Sequence, residues 1–517
     1  MTRRTLTALA CALAAFAGSG AATAQPRTVT GTLDLDSPGA VIQPEVYGHF
    51  MEQLGSGITG GIWVGPDSDI PNTRGFRNDV VAALRALEVP VVRWPGGCYA
   101  DIYDWRGGIG PRGERPVTLN RWWGGTEEDN AFGTHEFFDF AELIGAKTYL
   151  SINVGTGTPQ QAADWIEYVT SDSQSSLARE RRANGREQPW RLDYIGVGNE
   201  PWGCGGRMRA AYYTDLLRHY AGFIAPFGQE SVIIAAGPSG DDYDWTRTLM
   251  RDGTTNFDQL SVHNYTLPTG DWAAKGAATG FPVEEWVSTF DNAYRIEAII
   301  AGHSAVMDEY DPDGTLGIAV DEWGAWYDPT PGSPDGHLQQ QNSVRDALVA
   351  AAHFNIFHRH AGRVHMSNIA QMVNVLQALI LTDGPEMVLT PTYHAFMLYK
   401  PFQGAGVLPL TLDDGDAGER PMVDGTAARG ADGRVHLALI NLDPAAGAAI
   451  GLEMDGAARI VQARILTAGA MDAHNTFADP DRVAPRPFDG ARVSDGRLAV
   501  ELPAHSLVVI TLEPSAP

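Results

Sequence analysis

The sequence predicts an α/β protein: a (β/α)8 TIM barrel with an all-β sandwich domain appended. Three observations carry this. From about residue 44 to 395, short apolar runs alternate with helical stretches, the pattern of βα units around a parallel sheet. Eight such runs occur, the number a closed barrel needs. After about residue 397 helical periodicity fades, and short alternating segments separated by Asp/Gly turns replace it.

Taken in order, residues 1–24 read as an export signal. Arg3 and Arg4 precede an Ala/Leu-rich stretch over 6–16 that is too short to span a bilayer, and Ala22-Thr23-Ala24 fits a cleavage site before Gln25. The segment 27–43 reads as N-terminal strand that joins the sandwich. The barrel is expected over 44–397, with strands over 46–52, 89–94, 147–154, 194–200, 231–236, 260–265, 316–322 and 369–376. Helices are expected over 78–87, from Pro159 to about 169, and over 207–223, 283–307 and 343–358. Pro159 takes the first-turn position proline prefers, and Ser343 is placed as an N-cap. The sandwich is expected over 398–517, with strands such as 434–442, 459–466, 497–502 and 506–512. An open doubly wound sheet is the structural alternative, but no G-x-G-x-x-G follows the first strand.

Composition limits the function classes. The 517 residues include 37 Lys+Arg against 63 Asp+Glu, a formal charge of −26. Such a surface repels phosphate backbones and anionic lipid, so neither nucleic acid nor a membrane surface is an expected partner. No later stretch reaches the roughly 18 apolar residues of a membrane span. The 13 tryptophans suit sugar binding and equally suit the core of a large protein. Removing the signal takes Cys11 with it and leaves an even pair, Cys98 and Cys204, which in an exported protein is a candidate disulfide. Export to the periplasm or the medium is therefore the expected localisation.

Barrel enzymes carry their chemistry at the C-terminal ends of the strands. Glu52, Glu200 and Glu322 close predicted strands one, four and seven, and Asp101 and Asp104 follow strand two. A carboxylate that ends an apolar buried strand is costly unless it is hydrogen-bonded or functional. Strands four and seven face each other across an eight-stranded barrel. Paired carboxylates about 5–5.5 Å apart are what a retaining glycosidase requires.

The motifs around these residues resemble a known family. Gly198-Asn199-Glu200-Pro201 and Asp321-Glu322-Trp323-Gly324 look like the acid/base and nucleophile motifs of clan A glycoside hydrolases. Gly48-His49-Phe50-Met51-Glu52, Arg93-Trp94-Pro95-Gly96-Gly97-Cys98, His263-Asn264-Tyr265 and Ile369-Ala370-Gln371-Met372-Val373-Asn374-Val375 narrow the resemblance to glycoside hydrolase family 51, the α-L-arabinofuranosidases, over about residues 30 to 517. The resemblance implies Glu200 as general acid and then base, and Glu322 as nucleophile. It implies that Asn199 binds the sugar 2-hydroxyl, that Tyr265 holds Glu322, and that Glu52 and Gln371 hydrogen-bond the furanose hydroxyls. The resemblance implies that Trp202 walls the aglycone side or packs, and that His263 contacts the substrate or supports the carboxylates from behind. Some members carry Asn where this chain has Cys98, so a strong hydrogen bond to the sugar is lost there. Cys98 and Cys204 both fall in loops on the catalytic face and are expected to be neighbours, as a disulfide or a thiol pair.

The implied activity is a retaining, exo-acting α-L-arabinofuranosidase that takes arabinofuranosyl-containing polysaccharide or oligosaccharide and needs neither metal nor organic cofactor. Relatives are commonly hexamers, which implies a homo-oligomer. A β-D-galactofuranosidase, an endo-β-1,4-glucanase or a non-catalytic carbohydrate-binding protein are the alternatives; the presence of both Glu200 and Glu322 argues against the last.

Overall fold

Eight parallel strands close into a barrel in the computed structural model, which describes residues 26–415 and 420–515. The predicted export signal over 1–24 lies outside the described residues. The strands are β1 (Gly48–Phe50), β2 (Val91–Trp94), β3 (Lys147–Ile152), β4 (Tyr194–Val197), β5 (Val232–Ala235), β6 (Gln259–Thr266), β7 (Gly317–Ala325) and β8 (Val364–Ile369). Neighbours pair in chain order, and β8 closes the ring on β1 through Asn368 opposite Gly48 and Ile369 opposite His49. Each strand is followed by a helix that returns the chain outside the barrel: Asn78–Leu87, Thr134–Ile144, Pro159–Thr170, Ala210–Ala221, Tyr243–Gly253, Val283–Asp308, Val344–Arg359 and Pro391–Tyr399. Local chemistry fixes several starts. Thr158 accepts from the backbone N–H of Gln161 with Pro159 in the first turn, and Ser343 accepts from that of Arg345.

The eighth strand is displaced from its expected position. The apolar run 369–376 is not a strand: after Ile369 the chain turns inward, and Asn374 and Leu376 take left-handed conformations (φ 61° and 51°). The true strand carries polar residues because its neighbours use them. Ser367 donates to the Val46 carbonyl, and Asn368 Nδ2 donates to that of His49 at 3.3 Å.

The all-β part is two stacked sheets. One runs in the order Leu410–Asp413, Arg27–Leu33, Ala448–Met454, Arg497–Leu502, Ala491–Ser494. The other contains Gly406–Leu408, Val423–Arg429, Val435–Asn441, Ser506–Pro514, Ala458–Leu466 and Arg486–Pro487. Burial tells which faces are covered. Along Ala448–Met454 buried and exposed residues alternate, so one face meets solvent. Along Val435–Asn441 every residue is buried. Val435, Leu437 and Leu439 join the core between the sheets, while Ala438 and Ile440 join the core of the barrel.

That second sheet therefore seals the barrel's flank. Trp286 is fully buried there, and its indole N–H donates to the Leu442 carbonyl at 2.8 Å. Replacing Trp286 by Ala removes the ring and orphans that carbonyl, a cost of about 3–5 kcal/mol for a large-to-small core change. A clear fall in the calorimetric unfolding temperature is expected; an unchanged midpoint would show that this contact contributes nothing to stability.

Candidate active site

The C-terminal ends of the strands surround a cavity of about 420 Å³. Glu52, Cys98, Glu200, Trp202, His263, Tyr265, Glu322 and Gln371 all line it. Asn199 and Cys204 adjoin the lining, with Asn199 Nδ2 3.7 Å from Cys204 Sγ. Glu200 is three residues beyond β4 and is held with φ at 40°, a left-handed conformation that costs a non-glycine residue energy and is typical of functional positions. Its carbonyl accepts from the backbone N–H groups of Gly203 (2.8 Å) and Gly205 (3.0 Å), so the following turn folds back on it. Glu322 lies within β7. One oxygen from each of these carboxylates and a ring nitrogen of His263 all lie within 4.8 Å of one another.

The two carboxylates have different partners. Glu322 accepts from Arg93 Nη1 at 2.8 Å on one oxygen and from the Tyr265 hydroxyl at 2.9 Å on the other. Glu200 has His263 Nδ1 at 2.9 Å from Oε1. Burial alone would depress the His263 pKa. The carboxylates of Glu322, Asp321 and Glu200 outweigh it and push the imidazole up to about 10. His263 therefore holds a proton beside Glu200 across the neutral range.

Arg93 organises this floor. Besides Glu322, it donates to Asn199 Oδ1 at 2.6 Å and to the Asp321 carbonyl at 3.1 Å, and it is 1% exposed. Burial raises the Asp321 pKa, but Arg93, His263 and Ser261 together hold the carboxyl well below the usual range. Asp101, fully enclosed, accepts from the backbone N–H groups of Asn199, Val154 and Gly155 and so ties the loop carrying Glu200 to β3. Burial nonetheless pushes its pKa up to about 7.

Glu52 lines the same cavity and is almost wholly buried. It accepts from the Tyr99 backbone N–H (2.8 Å) and the Trp123 indole N–H (2.9 Å), and Gln371 Nε2 is 3.5 Å from its other oxygen. Burial first, and the nearby charge of Glu322 second, push its pKa up to about 8. Glu52 is thus neutral below pH 8 and gains a charge beside Glu322 above it. A decline in kcat/KM with an apparent pKa near 8 is expected. Glu52→Gln, slower overall, should lack that limb; an unchanged pH profile would contradict the assignment.

Several of these residues were not singled out from the sequence. Arg93 opens Arg93-Trp94-Pro95-Gly96-Gly97-Cys98 with no role expected of it, although a buried arginine on a strand needs an acidic partner. Trp123 comes from the hairpin Thr118–Asn120/Thr126–Glu128 in the loop after β2. Trp272 and Trp326 pack edge to face with each other (centroids 5.2 Å apart), and Trp326 does so with Tyr265 (4.9 Å), on the outer rim. Cys98 and Cys204 are joined as a disulfide with Cα atoms 5.5 Å apart, and Sγ of Cys204 is 3.6 Å from Glu200 Oε2.

Comparison with known proteins agrees with this geometry. The model of the α-L-arabinofuranosidase 1 domain matches residues 83–285, and that of the α-L-arabinofuranosidase C-terminal domain matches 321–506. A Bacteroides ovatus protein named an intracellular exo-α-L-arabinofuranosidase is 45% identical over 96% of this chain and 98% of its own length. The chain belongs to the α-L-arabinofuranosidases of glycoside hydrolase family 51. The crystal structure of the family 51 arabinofuranosidase from Xanthomonas axonopodis pv. citri is 52% identical, with a TM-score of 0.92 over 94% of this chain and 100% of the other. The Thermotoga maritima α-L-arabinofuranosidase, solved as an arabinose complex, is 27% identical with a TM-score of 0.83 over 95% and 100%. A bifunctional glucanase-xylanase from a metagenome library, at 14% identity and a TM-score of 0.61, shares the fold alone.

One expectation is corrected here. Export to the periplasm or medium does not stand, because the Bacteroides ovatus family member is named intracellular. The expectation rested on Arg3 and Arg4, the apolar stretch over 6–16 and the Ala22-Thr23-Ala24 site, a local pattern that by itself fixes no destination. Among the described residues, no helix is long and apolar enough to cross a membrane.

Proposed function

We propose that the chain is a retaining, exo-acting α-L-arabinofuranosidase that releases terminal arabinofuranose from arabinoxylan or arabinan side chains, or their oligosaccharides, by double displacement. This places it in hemicellulose degradation and L-arabinose metabolism. The observation that carries the reading is the close approach of Glu200 and Glu322 across the cavity. That spacing leaves no room for a water between carboxylate and sugar and fits attack by the carboxylate itself.

In the glycosylation step Glu322 attacks the anomeric carbon while Glu200 gives its proton to the departing glycosidic oxygen. The glycosyl-enzyme ester forms as the C–O bond to the leaving group breaks. Glu200 then takes a proton from water, whose oxygen attacks the same carbon and frees Glu322. Arg93 and Tyr265 match the charge of Glu322 before attack and after release. Asn199, fixed through its oxygen by Arg93, has its amide N–H groups for the sugar 2-hydroxyl, a contact that tightens as charge develops at the anomeric centre. Neutral Glu52, Gln371 and Trp123 meet the far hydroxyls, and Trp202 walls the aglycone side.

The exo mode is supported by an arch over that far end. The hairpin after β2 meets the loop after β7 so closely that a Cβ at Gly336 would come within 2.4 Å of the Gly124 backbone nitrogen. Glu52 and Gln371 sit at the ends of β1 and β8, the two strands between those loops. A panel of 4-nitrophenyl α-L-arabinofuranoside, the β-D-galactofuranoside and cellulosic oligomers tests the reading. Cleavage of the arabinofuranoside with the oligomers left intact is expected. Preference for the galactofuranoside, or internal cuts in the oligomers, would overturn it.

A further inference from the structure

The disulfide is not a peripheral staple: Cys98 lines the cavity, and Cys204 touches the carboxylate proposed as the proton donor. We infer that reducing this bridge turns the cavity wall into a binding site for a soft divalent cation such as zinc or cadmium, held by Cys98 Sγ, Cys204 Sγ and Glu200 Oε2, and that its occupancy shuts the enzyme off. The loss of activity rests on Glu200 acting as acid/base; the binding site does not.

One ligand atom from each of the three residues already lies within 4.8 Å of the others. Their positions are set by the backbone as well as by the bridge. Cys204 sits in the turn whose Gly203 and Gly205 N–H groups bind the Glu200 carbonyl. Cys98 is followed by Tyr99, whose N–H binds Glu52, and the Ala100 N–H binds the Gly97 carbonyl at 3.0 Å. The two oxygens of Glu200 point different ways: Oε1 meets His263, and Oε2 faces the sulfur. A cation on Oε2 therefore leaves the His263 contact intact. Two thiolates and a carboxylate with one open position make a tetrahedral set that zinc accepts, with water in the fourth place. Both cysteines are partly exposed, so a reductant can reach them.

The chemistry balances with a named reductant. A water-soluble phosphine plus one water reduces the disulfide to two thiols and becomes the phosphine oxide; a dithiol does the same by exchange and ends as its own disulfide. Cation binding then releases the two thiol protons. With Glu200 ligated, no proton reaches the leaving group.

The test uses the full chain, oxidised or reduced with phosphine and then desalted without oxygen. Cadmium is titrated while the thiolate-to-cadmium ultraviolet band is followed, and zinc is titrated against hydrolysis of 4-nitrophenyl α-L-arabinofuranoside, each protein being scaled to its own metal-free rate. Reduced enzyme should bind one cadmium per chain and lose activity to zinc, with recovery on adding a chelator. Oxidised enzyme and Cys204→Ser should do neither. Glu200→Gln, which keeps both thiols, should bind cadmium more weakly by about tenfold or more. No band in reduced enzyme, or a cadmium affinity unchanged by Glu200→Gln, would overturn the proposal. So would equal zinc inhibition in both redox states, which would instead point to Glu200, His263 and Glu322. The absorption needs no substrate, so it decides the site even if the arabinofuranoside proves not to be cleaved.

Discussion

Glu322→Ala should lower kcat/KM on 4-nitrophenyl α-L-arabinofuranoside by about 10⁵- to 10⁶-fold, the scale on which loss of a covalent nucleophile falls. The size follows from the surroundings. Arg93, His263 and Tyr265 all converge on this carboxylate, and none of them replaces its attack on carbon. Azide should restore turnover by entering the vacated space. It attacks from the face opposite the leaving group, so the product is the β-configured arabinofuranosyl azide. Rescue giving the α-azide would mean that Glu322 is not the nucleophile. The same substitution strips a partner from buried Arg93, so circular dichroism and the unfolding temperature must accompany the kinetics.

Glu200→Ala should separate substrates by leaving group. On an arabinoxylan-derived oligosaccharide, whose departing oxygen needs a proton, the loss should be about 10²–10⁴-fold, the usual share of general acid catalysis. With a 2,4-dinitrophenyl leaving group the first step should be nearly spared. The second step, which needs the base, should then limit turnover, so kcat and KM fall together as glycosyl-enzyme accumulates. Azide, needing no deprotonation, should relieve that limit and give the α-azide. Equal losses on both substrates would contradict the acid/base role.

The barrel and the sandwich were legible because their periodicities differ and because eight apolar runs alternate with helices. Strand eight was not, for a physical reason. Its residues face a crowded closing seam where Ser367 and Asn368 bind backbone carbonyls, while the more apolar stretch after it packs Ala370, Val375 and Leu376 against Phe50 and Leu54, a cluster that reaches the cavity wall at Leu54 and Leu376. Hydrophobicity marks burial there, not strand. Glu200 and Glu322 stood out because a carboxylate in an apolar run demands an explanation, although β7 continues past Glu322 to Ala325 and is not closed by it. Trp123 did not, because its hairpin carries exposed Leu119 and Trp122 and no alternation that points inward. The roles of Arg93 and Asp101 depend on contacts between strands distant in sequence, which no local pattern encodes. The bond that orients Asn199, from Arg93 to its amide oxygen at 2.6 Å, is likewise a contact between distant strands.

The central claim is that two carboxylates, one nucleophilic and one acid/base, act on a single arabinofuranosyl carbon in two displacements. Proton NMR of the sugar released in the first minutes of hydrolysis tests it most directly. The account predicts α-L-arabinofuranose as the first-formed anomer, with the β-anomer and the pyranose forms appearing only by later mutarotation. A first-formed β-anomer would contradict it, since a single displacement by water would then be the reaction.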